Sequence, residues 1–160
     1  MKRVIFLIFS LVPALTPLAA QTTGLWDYET SHDLYAGTTN DSSNTFGQHC
    51  STSDGRCKYF VGLPSSCKDG ISTPALVNSD RGAFNARLVC VGRAGKYNLY
   101  RYVFENFDDV DSTVRNSTRI GVAIPMEGGE VTVLRFSLDG AIAAITIMRS
   151  AADKRAGTSR

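Results

Sequence analysis

The clearest hydrophobic patterning lies in the second half of the chain. Arg87–Val91 and Tyr97–Phe104 are runs of β-branched and aromatic residues separated by Gly92-Arg93-Ala94-Gly95, a spacing that predicts a hairpin. Ile120, Val122, Ile124 and Met126 alternate with Arg119, Gly121 and Ala123, as in a strand with one buried face. Glu127-Gly128-Gly129 then turns the chain into Val131–Leu138, where Leu134, Phe136 and Leu138 share a side. Together these segments predict an antiparallel meander of at least four strands.

Upstream the pattern weakens. Tyr59–Leu63 reads as a strand, followed by a loop punctuated by Pro64, Gly70, Pro74 and Gly82. Residues 21–57 are rich in Thr, Ser, Asn, Asp and Gly, with scattered aromatics at Trp26, Tyr28, Tyr35 and Phe46. They predict one or two short strands, Leu25–Glu29 foremost, within long loops. After Asp139-Gly140 two readings compete. A strand would follow a two-residue turn and align Ala141, Ala143, Ile145 and Ile147. A helix would align Ile142, Ile145, Met148 and Ala152, with Asp139 capping its start and Lys154 and Arg155 at its basic end. The alanine content favours the helix, with residues 156–160 frayed.

The amino terminus belongs to a different category. Lys2 and Arg3 precede the apolar run Val4–Val12, and Pro17-Leu18-Ala19-Ala20 supplies small residues before Gln21, so residues 1–20 read as a signal peptide. Pro13 and Pro17 interrupt the run, which falls short of the ~20 apolar residues of a membrane anchor, and no later stretch is long enough. The expectation is a single β-rich domain over residues 21–155, periplasmic or secreted, without stable membrane insertion. Of the 17 basic residues two lie in this leader, against none of the 15 acidic ones, so the processed chain carries no net formal charge. That balance excludes a nucleic-acid partner, which would demand a surplus of Lys and Arg.

All four cysteines lie downstream of the leader, as expected where disulfides persist. Of the three pairings, Cys50–Cys57 with Cys67–Cys90 is preferred. Ser53-Asp54-Gly55-Arg56 forms a turn between the first pair, and Cys67 and Cys90 flank a loop and the strand after it. On a loop-closure basis the rings contribute about 2.5 and about 3.4 kcal/mol. No C-x-x-C occurs, and only His32 and His49 could join a metal site, so neither metal nor cofactor is expected.

Trp26, the Leu88-Val89-Cys90 strand and the closing Phe136-Ser137-Leu138-Asp139-Gly140 with the Ala-rich residues 141–145 carry a family resemblance. In these the chain resembles small periplasmic β-sandwich proteins of the type VI secretion-associated periplasmic family and, more distantly, the invasion-associated locus B family. The resemblance implies an envelope location, an all-β core with a terminal helix, and a binding or accessory role.

Catalysis finds little to build on. A hydrolase needs a nucleophile, a base in reach and a group to orient that base. The two histidines lie in the irregular first third, no Gly-x-Ser-x-Gly occurs, and the cysteines are consumed in disulfides. No catalytic residue is assigned, and a small hydrolase ranks third among the readings. The densest polar cluster is Glu105–Thr118, which reads as a loop of about 14 residues between two strands. Loops of that length are often functional. Asp109-Val110-Asp111 opens like a calcium loop, but the sixth position lacks Gly and the twelfth lacks Glu. Asp108, Asp109, Asp111, Ser112, Arg115 and Asn116 are the candidate partner-binding residues, against the alternative of a plain solvated connection. Asn40-Asp41-Ser42 and Asn116-Ser117-Thr118 match the glycosylation pattern and read as turn chemistry. Among Tyr97, Tyr100, Tyr102, Phe104 and Phe107, Tyr100, Tyr102 and Phe104 share one strand face, for which core packing is preferred over an exposed ladder.

The expected function is therefore protein binding. Residues 108–116 would enter the active cleft of another protein, as an immunity protein occludes a secreted cell-wall-degrading effector such as a peptidoglycan hydrolase. The alternative is an accessory structural component of an envelope or secretion assembly.

Overall fold

The computed structural model describes residues 21–94, 98–126 and 128–158; the expected signal peptide, Tyr97 and Glu127 lie outside the described residues. The strands are β1 (Gln21–Thr23), β2 (Trp26–Glu29), β3 (Leu34–Thr39), β4 (Thr45–Cys50), β5 (Cys57–Leu63), β6 (Ser72–Ser79), β7 (Gly82–Ala94) and β8 (Leu99–Phe104). Helix α1 (Phe107–Asn116), strands β9 (Arg119–Pro125) and β10 (Val131–Ser137) and helix α2 (Ala141–Thr158) follow. All ten strands join one antiparallel sheet in the order β1-β2-β3-β4-β5-β8-β7-β6-β9-β10. The mainly β class, the hairpin of β7 with β8, the hairpin of β9 with β10 and the carboxyl-terminal helix agree with the sequence expectation. Both disulfides pair as expected, Cys50–Cys57 across the β4–β5 hairpin and Cys67–Cys90 between the β5–β6 connection and β7.

Three segments differ from the expectation, each for a physical reason. Residues 21–57 hold four strands instead of one or two. Their inward positions include Thr38 and Gln48, both buried, and Thr45 is buried on the other face, which breaks the apolar alternation that betrays a strand. The loop read after Leu63 contains β6, in which Ala75 and Val77 face the core. Pro74 is tolerated there because β9 pairs only with Leu76–Ser79, so Pro74 sits where one side of β6 lacks a strand partner. Glu105–Thr118 is not a loop but mostly helix α1, which buries Val110 and Val114 and carries Asp108 and Asp109 in its first turn and Arg115 in its last. Helix α2 also continues to Thr158 where fraying was expected from residue 156. Arg155 holds this end by donating to the carbonyls of Thr30 and Ser31.

The core gathers round Phe46. Its ring meets Trp26 at 5.9 Å, Tyr59 at 5.9 Å, Phe104 at 6.2 Å and Phe136 at 5.6 Å, drawing on β2, β5, β8 and β10. Such contacts require a coiled sheet, and the two ends indeed meet. The Trp26 indole N–H donates to the Ser137 carbonyl at 3.0 Å, and the Leu25 amide donates to the Asp139 carbonyl at 3.1 Å. Two glycines permit this approach. A Cβ on Gly140, at φ +87°, would lie 1.7 Å from the Thr23 carbonyl oxygen, and one on Gly24, at φ +56°, would lie 2.8 Å from that of Asp139.

Gly140→Ala is expected to lower the unfolding free energy by about 1–3 kcal/mol or more. Gly157→Ala, in open space on α2, should leave it unchanged or raise it by a few tenths. Urea denaturation of the two variants measures both.

Candidate functional site

Helix α1 divides the predicted partner-binding residues into two sets. Asp108, Asp109, Ser112 and Asn116 are exposed, at three- and four-residue spacings that place them on one face. The Asn116 amide is occupied, donating to the Ser112 carbonyl at 2.7 Å, and the Thr113 hydroxyl donates to the Asp109 carbonyl at 2.9 Å. Asp111 instead points toward β5 and α2, with Arg115 beside it. A calcium loop over these residues is inconsistent with the helix.

Around Asp111 the fold assembles a polar cluster. Tyr59, whose ring packs in the core, donates its hydroxyl to Asp111 Oδ1 at 2.7 Å. Arg115, one helical turn along, donates from Nε to Oδ2 at 2.7 Å. Arg149 of α2 donates from Nη2 to Asp111 Oδ1 and, at 3.3 Å, to the Tyr59 hydroxyl oxygen. Its Nε donates to Gln48 Oε1 at 2.7 Å, while the buried Gln48 Nε2 has no partner among the described residues. The Arg149 guanidinium also lies 5.5 Å from the Phe107 ring centre.

The electrostatics follow from this packing. Burial pushes the Asp111 carboxyl upward, but the hydrogen bonds from Arg115, Arg149 and Tyr59 outweigh it and hold the group below its ordinary value. Burial, then the bond to Asp111, raises the Tyr59 hydroxyl. At neutral pH the carboxylate is charged and the phenol protonated, an arrangement suited to clamping α1 and ill suited to proton transfer. A shallow surface depression adjoins the cluster, lined by Tyr59, Asp111, Val114, Arg115, Ile142, Ile145 and Thr146. Of the clustered residues the sequence reading had only Asp111 and Arg115. Tyr59, Gln48 and Arg149 stand far away along the chain, and no spacing signal links them.

The histidines are apart from this cluster. The Ser31 hydroxyl lies 3.2 Å from His32 Nδ1 and bonds to Glu29, so the carboxylate engages the hydroxyl and not the imidazole. That geometry lacks the orienting acid of a hydrolytic triad. His49 is half-buried on the outer sheet face, where burial and then Arg101 lower its pKa against an opposing effect of Asp33. On the same face Phe60 is only 4% exposed. The Arg101 guanidinium covers it at 4.5 Å from its centre, and the Tyr35 ring lies 6.0 Å away. Tyr102 and Phe104 are buried, as the core reading of the aromatic set required. Asn40 Oδ1 accepts from the amides of Ser42 and Asn44 at 3.1 and 3.0 Å, the turn role expected of it. Among the described residues no cluster of three or more His, Cys, Asp or Glu could hold a metal ion, and no helix is long and apolar enough to cross a membrane.

The sheet and its terminal helix have a counterpart among solved structures. The crystal structure of invasion associated protein b from Bartonella henselae superposes with a TM-score of 0.57 at 15% identity, covering 82% of this chain and 96% of that one. The likeness is one of fold. It supports the resemblance to the invasion-associated family at that level. No protein-family profile and no curated protein matches the chain.

Asp111→Asn should lower stability at pH 7 by about 2 kcal/mol, the scale of hydrogen bonds to a charged group. Because folding depresses the Asp111 pKa, the stabilisation is complete above the ordinary carboxylate value of about 3.9 and is lost as pH falls through the folded value. Denaturation midpoints from pH 7 to pH 2 should therefore show the gap between variant and wild type narrowing below about pH 4.

Proposed function

We propose that this protein is an exported, non-catalytic binding module that recognises a partner protein through the outward face of α1. The observation that carries this reading is the division of labour within one helix. Asp111 is turned inward and tied to α2, which leaves Asp108, Asp109 and Ser112 presented from a backbone held in place. Recognition surfaces gain affinity when they are ordered before the encounter, since less entropy is lost on binding. Two exposed carboxylates at the positive end of the helix dipole suit a partner with a basic patch or cleft. The two disulfides support an extracytoplasmic setting, in which thiols stay oxidised. The structural neighbour is named for an association with invasion, and its fold is compatible with an envelope role for this chain.

More specifically, the ridge would block the active cleft of a secreted peptidoglycan hydrolase by lodging a helix edge there, and not the extended loop inferred from composition. The test is co-purification with such hydrolases from the same envelope, followed by inhibition of peptidoglycan cleavage. Asp108→Lys with Asp109→Lys should weaken a one-to-one complex by at least about 100-fold, as expected for reversed charges at an interface centre. Asp41→Lys, an exposed turn residue elsewhere, should leave it intact. Recovery with membrane-embedded machinery would favour an accessory structural role, and full inhibition by the double variant would overturn the proposed mode.

A further inference from the structure

We propose that His49 is a pH-responsive latch on the outer sheet face, where its protonation lifts the Arg101 guanidinium from the Phe60 ring and uncovers that ring. The register of the sheet sets the latch. His49 on β4 stands opposite Tyr35 on β3 and Lys58 on β5, while Phe60 stands opposite Gly47. His49 and Phe60 are therefore diagonal neighbours on one face, within reach of long and aromatic side chains. Directly across from Phe60, Gly47 offers no side chain to cover the ring. Arg101 of β8 stands opposite Gly62 and comes to Phe60 from the other diagonal, its guanidinium 4.5 Å from the ring centre. Phe60 points outward and is nonetheless buried, with Arg101 and Tyr35 lying against it.

The charges round His49 are mostly positive. Lys58 is exposed directly across the strand pair, and Arg101 is half-buried over the neighbouring ring. Asp33, just before β3, acts on both His49 and Arg101 and favours the charged form of each. Glu29 lies a strand farther off, opposite Tyr35, and its carboxylate accepts from the hydroxyl and amide of Ser31. Glu105, past the end of β8, is paired with Arg87 at 3.4 Å. With the imidazole neutral, Asp33 faces two cations; protonation adds a third.

Arg101 is the group that gives way. Lys58 already reaches water, and the imidazole is carried on a short stem, whereas the guanidinium is held on a flexible stem against a ring. The carboxylate that steadies it is then shared with the imidazolium. Burial first and Arg101 second disfavour the protonated imidazole, against the weaker pull of Asp33. The covered arrangement is therefore complete above the ordinary histidine value of 6.5 and is lost as pH falls through the lower folded value.

Nuclear magnetic resonance of the disulfide-bonded protein reads both ends of the latch. At about pH 7.5 the Arg101 side-chain protons should carry an upfield ring-current shift that Phe60→Leu abolishes, and should lose it with the midpoint of the His49 ring protons. His49→Gln should keep that shift down to about pH 5.5. His49→Lys, a fixed cation, should lack it even at neutral pH, with the Trp26 indole proton reporting an intact core. Coupling is reciprocal, so Arg101→Gln should raise the His49 midpoint, a reading that remains if His49→Lys fails to fold. Arg101 shifts indifferent to the His49 titration would overturn the proposal. So would a transition that persists in His49→Gln, one that follows His32 instead, or a His49 midpoint unmoved in Arg101→Gln.

Discussion

The whole arrangement hangs on the seam where the first strands meet the last. Ten antiparallel strands would otherwise form an open, twisted sheet with one greasy face. The approach of β2 to the end of β10 coils that face inward, so Phe46 is surrounded by rings from strands remote in sequence. Two backbones can come this close only because Gly24 and Gly140 carry no side chain. The seam also sets where α2 begins, since the helix starts one residue after Gly140. The position of Arg149, and with it the clamp on Asp111, is inherited from that starting point.

The clamp is a partly buried ion pair with more than a Coulombic role. Charges withdrawn from water cost free energy that mutual attraction repays only with good geometry and further hydrogen bonds. Here Arg115, Arg149 and Tyr59 all donate to one carboxylate, and Gln48 receives another donor of Arg149. The result fixes a short helix to both a strand and a second helix. An amphipathic segment with two small buried valines would have little hold on the core by apolar contact alone. The polar network supplies the missing orientation, and the outward carboxylates are thereby presented in one geometry.

What the amino-acid sequence disclosed depended on how cleanly each segment alternates. From β7 to β10 the buried side chains are apolar or aromatic, among them Leu88, Phe104, Ile120, Val122 and Leu134, and strand, hairpin and pairing were legible there. From β1 to β4 the inward set includes Thr38 and Gln48, and Gly37 and Gly47 interrupt the outward set, so local composition resembled loop. In α1, Phe107, Val110 and Val114 follow a helical spacing, but the acidic and hydroxyl residues between them dominated the composition. The disulfides were legible because a turn separates Cys50 from Cys57, which leaves Cys67 and Cys90 to each other. The Tyr59–Asp111–Arg149 cluster was not, because it depends on tertiary closure that no spacing encodes.

The distance along the chain between the two sides of the seam bears on the order of events during synthesis. Trp26 finds its acceptor at Ser137, 111 positions later. Until the final strand and helix emerge, Phe46 lacks part of its surroundings, and the early strands have nothing to curl against. Long-range closure of this kind is slow relative to local helix or hairpin formation. Such a polypeptide acquires its closed form only once its carboxyl end is present to meet the first strands.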